Sequence, residues 1–151
     1  MIAIELIVMR IPDNVKDSLN AALKQRRVVF ASTSKECVPN AVPIGIMKFK
    51  DDDTIILMEN FFLKTKENLE KCPWAAVTGW NMEEKEGRLV AKDGFQVKGK
   101  VKVESNGPLY EQIKAEVKAS NPNLPAKAIV LLKVEDIFDV KSGPNAGKRI
   151  Q

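Results

Sequence analysis

The sequence predicts a mainly β domain, a closed or partly closed antiparallel barrel with helices at its periphery. Three observations carry this expectation. Short β-favouring runs recur with hairpin-like spacing, helical periodicity is confined to three segments, and no strand-helix-strand alternation of the parallel-sheet kind runs through the chain. With 151 residues, 44% of them hydrophobic, the chain is one domain able to bury a real core, and residues 141–151 form a Gly-containing tail.

Pro12 and Asp13 open the first helix, in which Val15, Leu19, Ala22 and Leu23 fall on one face, ending near Arg26. Val28 to Thr33 is a short strand, Ser34-Lys35-Glu36 turns the chain, and Asn40 to Phe49 reads as one longer strand. Asp51, Asp52 and Asp53 form a hairpin loop; a solvated turn explains them more simply than a metal site, since no EF-hand spacing surrounds them. Thr54 to Glu59 is the next strand, and a helix of about two turns runs from Thr65 to Cys72 before Pro73 stops it. Trp74 to Trp80 is a strand, Glu83 to Gly87 a charged loop, and Gly94 to Val103 a clean alternation. In that alternation Phe95, Val97, Val101 and Val103 share one face and Lys98, Lys100 and Lys102 the other, the pattern of a half-exposed antiparallel strand with a solvated lysine row. Pro108 begins a helix with Leu109, Ile113 and Val117 on its buried stripe. Asn121 to Pro125 breaks it, and Ala128 to Leu132 with Ile137 to Val140 supplies the last strand.

Composition narrows the function. The net charge of +4 comes from interleaved charges without a basic block, and only 6% of residues are aromatic, which suits a small anionic ligand better than a nucleic acid. The chain has no histidine, so the commonest general base and metal ligand are missing, and the chemistry is expected to come from a cofactor. Cys37 and Cys72 have no CxxC spacing and read as incidental thiols in a reducing compartment, the cytoplasm. The apolar opening Met1 to Arg10 lacks the marks of a signal peptide and the length of a membrane span, and either Met1 or Met9 serves as a start.

Two stretches suggest a ligand site. In Phe61-Phe62-Leu63-Lys64-Thr65-Lys66-Glu67-Asn68-Leu69 a strand hands over to a helix whose start combines a hydroxyl cap, free N–H groups and two ammonium groups. That is an anion site in outline, although a plain cap with solvated lysines explains this stretch equally well. In the run from Asn40 to Phe49, Ala41, Pro43 and Gly45 are small while Val42, Ile44 and Ile46 are bulky. Both faces are apolar, so a flat ring or a packed helix could cover the small one.

The ordered set of an N-terminal helix, the Val38 to Phe49 strand, the Asp turn, the Thr54 to Glu59 strand, and Lys64-Thr65 before Asn68-Leu69 and Pro73 resembles the FMN-binding split β-barrel superfamily, the pyridoxamine 5'-phosphate oxidase-like flavoproteins. The resemblance spans about residues 14 to 140 and implies flavin mononucleotide (FMN) as cofactor. It implies phosphate contacts at Lys64 and Thr65, ring and ribityl contacts at Ala41, Val42 and Pro43, and a pyrimidine edge facing Met58 and Glu59. Gly94 to Gly99 resembles the strand near the family's dimer interface, so a homodimer is implied. The family's oxidase holds its substrate with an Arg and His pair near the C-terminus. This chain has no histidine, so pyridoxamine phosphate is not the substrate the resemblance favours, and Lys64-Thr65 is a weaker phosphate pair than two adjacent basic residues.

The leading expectation is thus an FMN-dependent oxidoreductase acting on a small molecule, with no membrane or nucleic-acid partner. The alternatives are a non-catalytic FMN carrier or electron-transfer module, a deazaflavin-binding member of the fold, and least of all a haem protein, for which Tyr110 or a cysteine would have to serve as axial ligand.

Overall fold

The computed structural model describes residues 10–150; the apolar opening up to Met9, with both candidate start residues, lies outside them, as does Gln151. The first helix, α1 (Asp13–Lys24), buries Val15, Leu19 and Ala22 on the face its spacing predicts. It ends in a Schellman motif in which Arg27 N donates to Ala22 O at 2.9 Å and Arg26 N to Leu23 O at 3.0 Å. Glycine usually takes the left-handed position of that motif, yet here Arg26 occupies it with φ +58°. A side chain there costs roughly 1–2 kcal/mol.

The strands β1 (Val28–Thr33), β2 (Pro39–Pro43), β3 (Met47–Lys50), β4 (Thr54–Glu59), β5 (Trp74–Lys85), β6 (Arg88–Glu104) and β7 (Ala128–Asp139) form one sheet in the order β2-β1-β5-β6-β7-β4-β3. Every pairing is antiparallel. The sheet curls around a core in which Phe30, Leu57, Val97 and Leu132 are fully buried together with Val15 and Leu19 of α1. Residues 44–46 join β2 to β3, one edge of the sheet to the other, without pairing between those strands. The barrel is therefore split, as the family resemblance implies.

α2 (Lys64–Lys71) lies against β1 and β2, and α3 (Pro108–Ser120) packs outside β7 and β4, where Tyr110, Ile113 and Val117 meet Ile56, Met58 and Ile129 in a second cluster. Among the described residues no helix is long and apolar enough to cross a membrane.

Three expectations change. The run from Asn40 to Phe49 is two strands, because Pro43 has no N–H to continue a ladder and residues 44–46 must cross the split. The charged loop at Glu83 to Gly87 shrinks to a two-residue turn. Glu83, Glu84 and Lys85 pair with Val90, Leu89 and Arg88, and Glu86 (φ +51°) and Gly87 (φ +73°) adopt the double positive φ of a hairpin turn that matches strand twist. The last strand is continuous through Glu135, which is the extra residue of a β-bulge opposite Lys98 and Gly99. The Asp turn is as expected: Asp51 has φ +55°, and Asp52 accepts a hydrogen bond from Lys16 at 3.2 Å. Residues 141–150 are exposed but fold back, with Phe138 bridged to Arg149 and Arg149 Nη2 at 2.8 Å from Asp136.

Candidate functional site

Where β2 and β3 fail to pair, the barrel wall opens into a cavity of about 990 Å³, a size suited to a small molecule or cofactor. Val42 and Pro43 form one wall, Met58 and Phe62 contribute apolar surface, Lys64 and Thr65 close one end, and Val117 and Leu124 bring α3 and its following loop to the other side. Phe62 is held by stacking on Phe30, with ring centroids 5.9 Å apart and planes 10° apart. This contact ties the 61–63 segment to the core while Phe61 and Leu63 remain exposed beside the cavity.

Five of the seven residues singled out from the sequence thus meet: Val42, Pro43, Met58, Lys64 and Thr65 line one cavity. The other two lie elsewhere. Ala41 is exposed on the outer sheet face, in register with Ala31 of β1. Glu59 follows Met58 directly, so the two point to opposite sides of β4; Glu59 shares its side with Ile55 and Leu57, and is only 3% exposed. Its Oε1 has no hydrogen-bond partner among the described residues, an orphaned buried acceptor at the end of a core strand.

Thr65 does not cap α2. The N-cap is Leu63, without a side-chain cap bond, and Thr65 sits inside the first turn, where its Oγ1 accepts a hydrogen bond from Asn40 Nδ2 at 3.0 Å. One turn further along, Asn68 Nδ2 donates to Ser32 Oγ at 3.1 Å. These two bonds fix the start of α2 against the sheet, so the helix N–H groups are aimed by β1 and β2. Lys64 is exposed and pairs with Glu67 at 3.0 Å, a surface contact worth little and readily exchanged for another anion.

The sequence reading missed the remaining charges of the cavity. Among the described residues, Arg26, Lys48 and Lys64 line it against a single carboxylate, Glu116 of α3, which pairs with Lys48. No local pattern marks Arg26, Lys48 or Glu116, because they converge from three elements far apart in sequence. Among the described residues no group of three or more His, Cys, Asp or Glu side chains is placed to hold a metal ion. Cys37 is exposed and Cys72 half-buried, both outside the cavity lining. The cavity's side chains are therefore suited to bind and orient an anionic, partly apolar molecule.

Comparison with known proteins agrees with this architecture. The sequence profile of the pyridoxamine 5'-phosphate oxidase family matches residues 12–141. A protein of Methanocaldococcus jannaschii is 33% identical over 132 residues, covering 85% of this chain and 83% of that relative. HupZ of group A Streptococcus superposes with a TM-score of 0.69 at 27% identity, covering 91% of this chain and 99% of its own. An FMN-binding protein of Syntrophomonas wolfei does so with a TM-score of 0.69 at 17% identity, covering 85% and 87%. The fold alone is shared more widely: with HutZ, a haem storage protein of Vibrio cholerae (TM-score 0.58, 14% identity, 87% and 95% covered), and with an F420 reductase (TM-score 0.59, 10% identity, 84% and 98% covered). On the profile match and the Methanocaldococcus relative, this chain belongs to the pyridoxamine 5'-phosphate oxidase family of split-barrel proteins.

Proposed function

We propose that the protein is an FMN-binding flavoprotein, a cytoplasmic flavin-dependent oxidoreductase that works as a homodimer. One observation carries the reading: the start of α2, with Lys64 and Thr65, opens into the same cavity as the apolar surface of Val42, Pro43 and Met58. Free helix N–H groups and an exchangeable ammonium suit a phosphate. The adjoining apolar wall suits a flat ring. When bound, FMN supplies the electron transfer. The chain's own residues hold the phosphate at Lys64 and Thr65, seat the ring against Val42, Pro43 and Met58, and keep bulk water from that wall through Phe62. Glu59 adds a buried acceptor on the reverse side of β4.

The dimer rests on the outer sheet face. By register Ala41, Ala31 and Ala76 form a row of small residues across β2, β1 and β5, next to the row of Pro43, Val29 and Thr78. Trp74 and Trp80 flank these rows, 40% and 39% exposed. A flat surface of small side chains between two aromatic anchors suits a second copy of the chain, which would also bring Ala41 close to the ligand. Of the haem ligands named from the sequence, Tyr110 is buried and donates its hydroxyl hydrogen to Ala126 O at 2.9 Å, and Cys37 and Cys72 lie outside the cavity lining.

The absorption spectrum of the purified protein, with mass identification of any released chromophore, separates FMN from a deazaflavin. Isothermal titration then tests the phosphate end. FMN should bind at least about tenfold more tightly than riboflavin, the value of one hydrogen bond from a charged group. Equal affinity for the two would mean that α2 holds no phosphate. Light scattering should report a dimer that Ala76→Arg converts to monomer; a monomeric parent protein would overturn the assembly.

A further inference from the structure

We propose that Arg26 is a second oxyanion-binding point in the cavity, separate from Lys64 and Thr65, that takes a phosphate or carboxylate group of a small molecule other than the flavin. Three independent features converge on it. Arg26 stands where α1's terminal motif favours glycine, in the left-handed region at φ +58°, so its side chain is kept at a conformational cost that the fold does not require. Its guanidinium lies over Gly45, where an added Cβ would come within 2.5 Å of Nη1. The bare backbone at Gly45 is therefore the cradle that lets the planar group lie against the cavity wall. Finally, the other cavity cations have carboxylate partners, Lys48 with Glu116 and Lys64 with Glu67, whereas Arg26 has none among the described residues.

The two points sit at different places along the wall: Thr65 is bonded to Asn40 near the start of β2, and Arg26 lies at Gly45, two residues past the end of that strand. A guanidinium fork with no carboxylate partner among the described residues matches a planar carboxylate or a phosphate in two-point contact.

The test uses amide and side-chain NMR spectra of the protein, both flavin-free and saturated with FMN, titrated with inorganic phosphate and separately with acetate. In both forms the signals of Gly45 and of the Arg26 Nε–H group should shift and saturate. Thr65 should respond to phosphate only in the flavin-free form. Arg26→Gly removes the fork while relieving the backbone, and Gly45→Ala displaces the guanidinium without changing charge. Each should weaken ion binding at position 45 by about tenfold or more. Saturation with phosphate alone assigns a phosphate-bearing molecule, and saturation with acetate as well assigns carboxylates too. Failure to saturate with either ion, or unchanged affinity in both variants, would overturn the proposal. The inference borrows the flavin reading only to name the first ligand: if FMN does not bind, that reading fails, and the flavin-free titration still decides Arg26.

Discussion

The closed wall of the barrel and its split side use glycine for opposite purposes. On the closed wall Gly99 of β6 lies opposite the bulge in β7, where the strands approach so closely that a Cβ would overlap the Lys133 carbonyl. At the split Gly45 joins two strands that do not pair, and a Cβ would meet only the tip of the Arg26 side chain. One glycine lets backbones pack; the other leaves room for a charged side chain. The difference teaches that a glycine can serve backbone packing in the wall or border a cavity at the split, and that the same residue type reports either role only through what faces it.

The comparison can be broken most sharply at Gly99. Gly99→Ala should destabilise the fold by about 3 kcal/mol or more, since a backbone carbonyl cannot move aside as a side chain can. Gly45→Ala should cost under about 1 kcal/mol, because Arg26 can swing into solvent. Urea unfolding midpoints read both, and equal losses would erase the distinction between wall and split.

A second contrast sets a cavity lysine against a wall lysine. Lys64→Ala should raise the dissociation constant for FMN by about tenfold to a hundredfold, the worth of one hydrogen bond from a charged group. Lys98→Ala should change it by less than about twofold: Lys98 borders the proposed dimer surface beside Ala76 but does not line the cavity, so only a screened long-range attraction to the ligand is lost. Lys98 is exposed on the outer face, with its ammonium 4.8 Å from the centre of the Phe138 ring. Isothermal titration of both variants decides the matter, and equal small losses would show that general positive charge, not the start of α2, draws the ligand.

The smallest effect is expected at Glu116, the one carboxylate lining the cavity among the described residues. Glu116→Gln releases Lys48 and should tighten FMN binding by about twofold to threefold at low ionic strength, with the gain fading as salt is added. A salt-independent gain, or a loss, would mean that Glu116 contacts the ligand directly rather than tempering the field.

Much of this molecule was legible along the chain. The helical face of Val15, Leu19 and Ala22, the alternation through Phe95 and Val97, and the Pro and Asp punctuation are local signals, because periodicity, ring constraint and turn chemistry act over a few residues. They place β1 and β4 at their observed bounds and bring Lys64 and Thr65 to the start of a helix. Val42, Pro43 and Met58 were reached through family resemblance, which carries tertiary information that no single stretch contains. What only the tertiary structure decided is where elements distant in sequence meet. The run from Asn40 to Phe49 is apolar on both faces whether it stays in one edge strand or crosses the split, so pattern alone could not divide it. Consecutive residues Met58 and Glu59 must part to opposite faces of β4, and the fold decides which face meets the cavity. Arg26, Lys48 and Glu116 come from α1's end, β3 and α3, and their charges share a field only once the sheet has curled and left β2 and β3 unpaired. Local chemistry fixed the elements, while closure of the barrel on every side but one, a balance of long-range burial and backbone pairing, made the site.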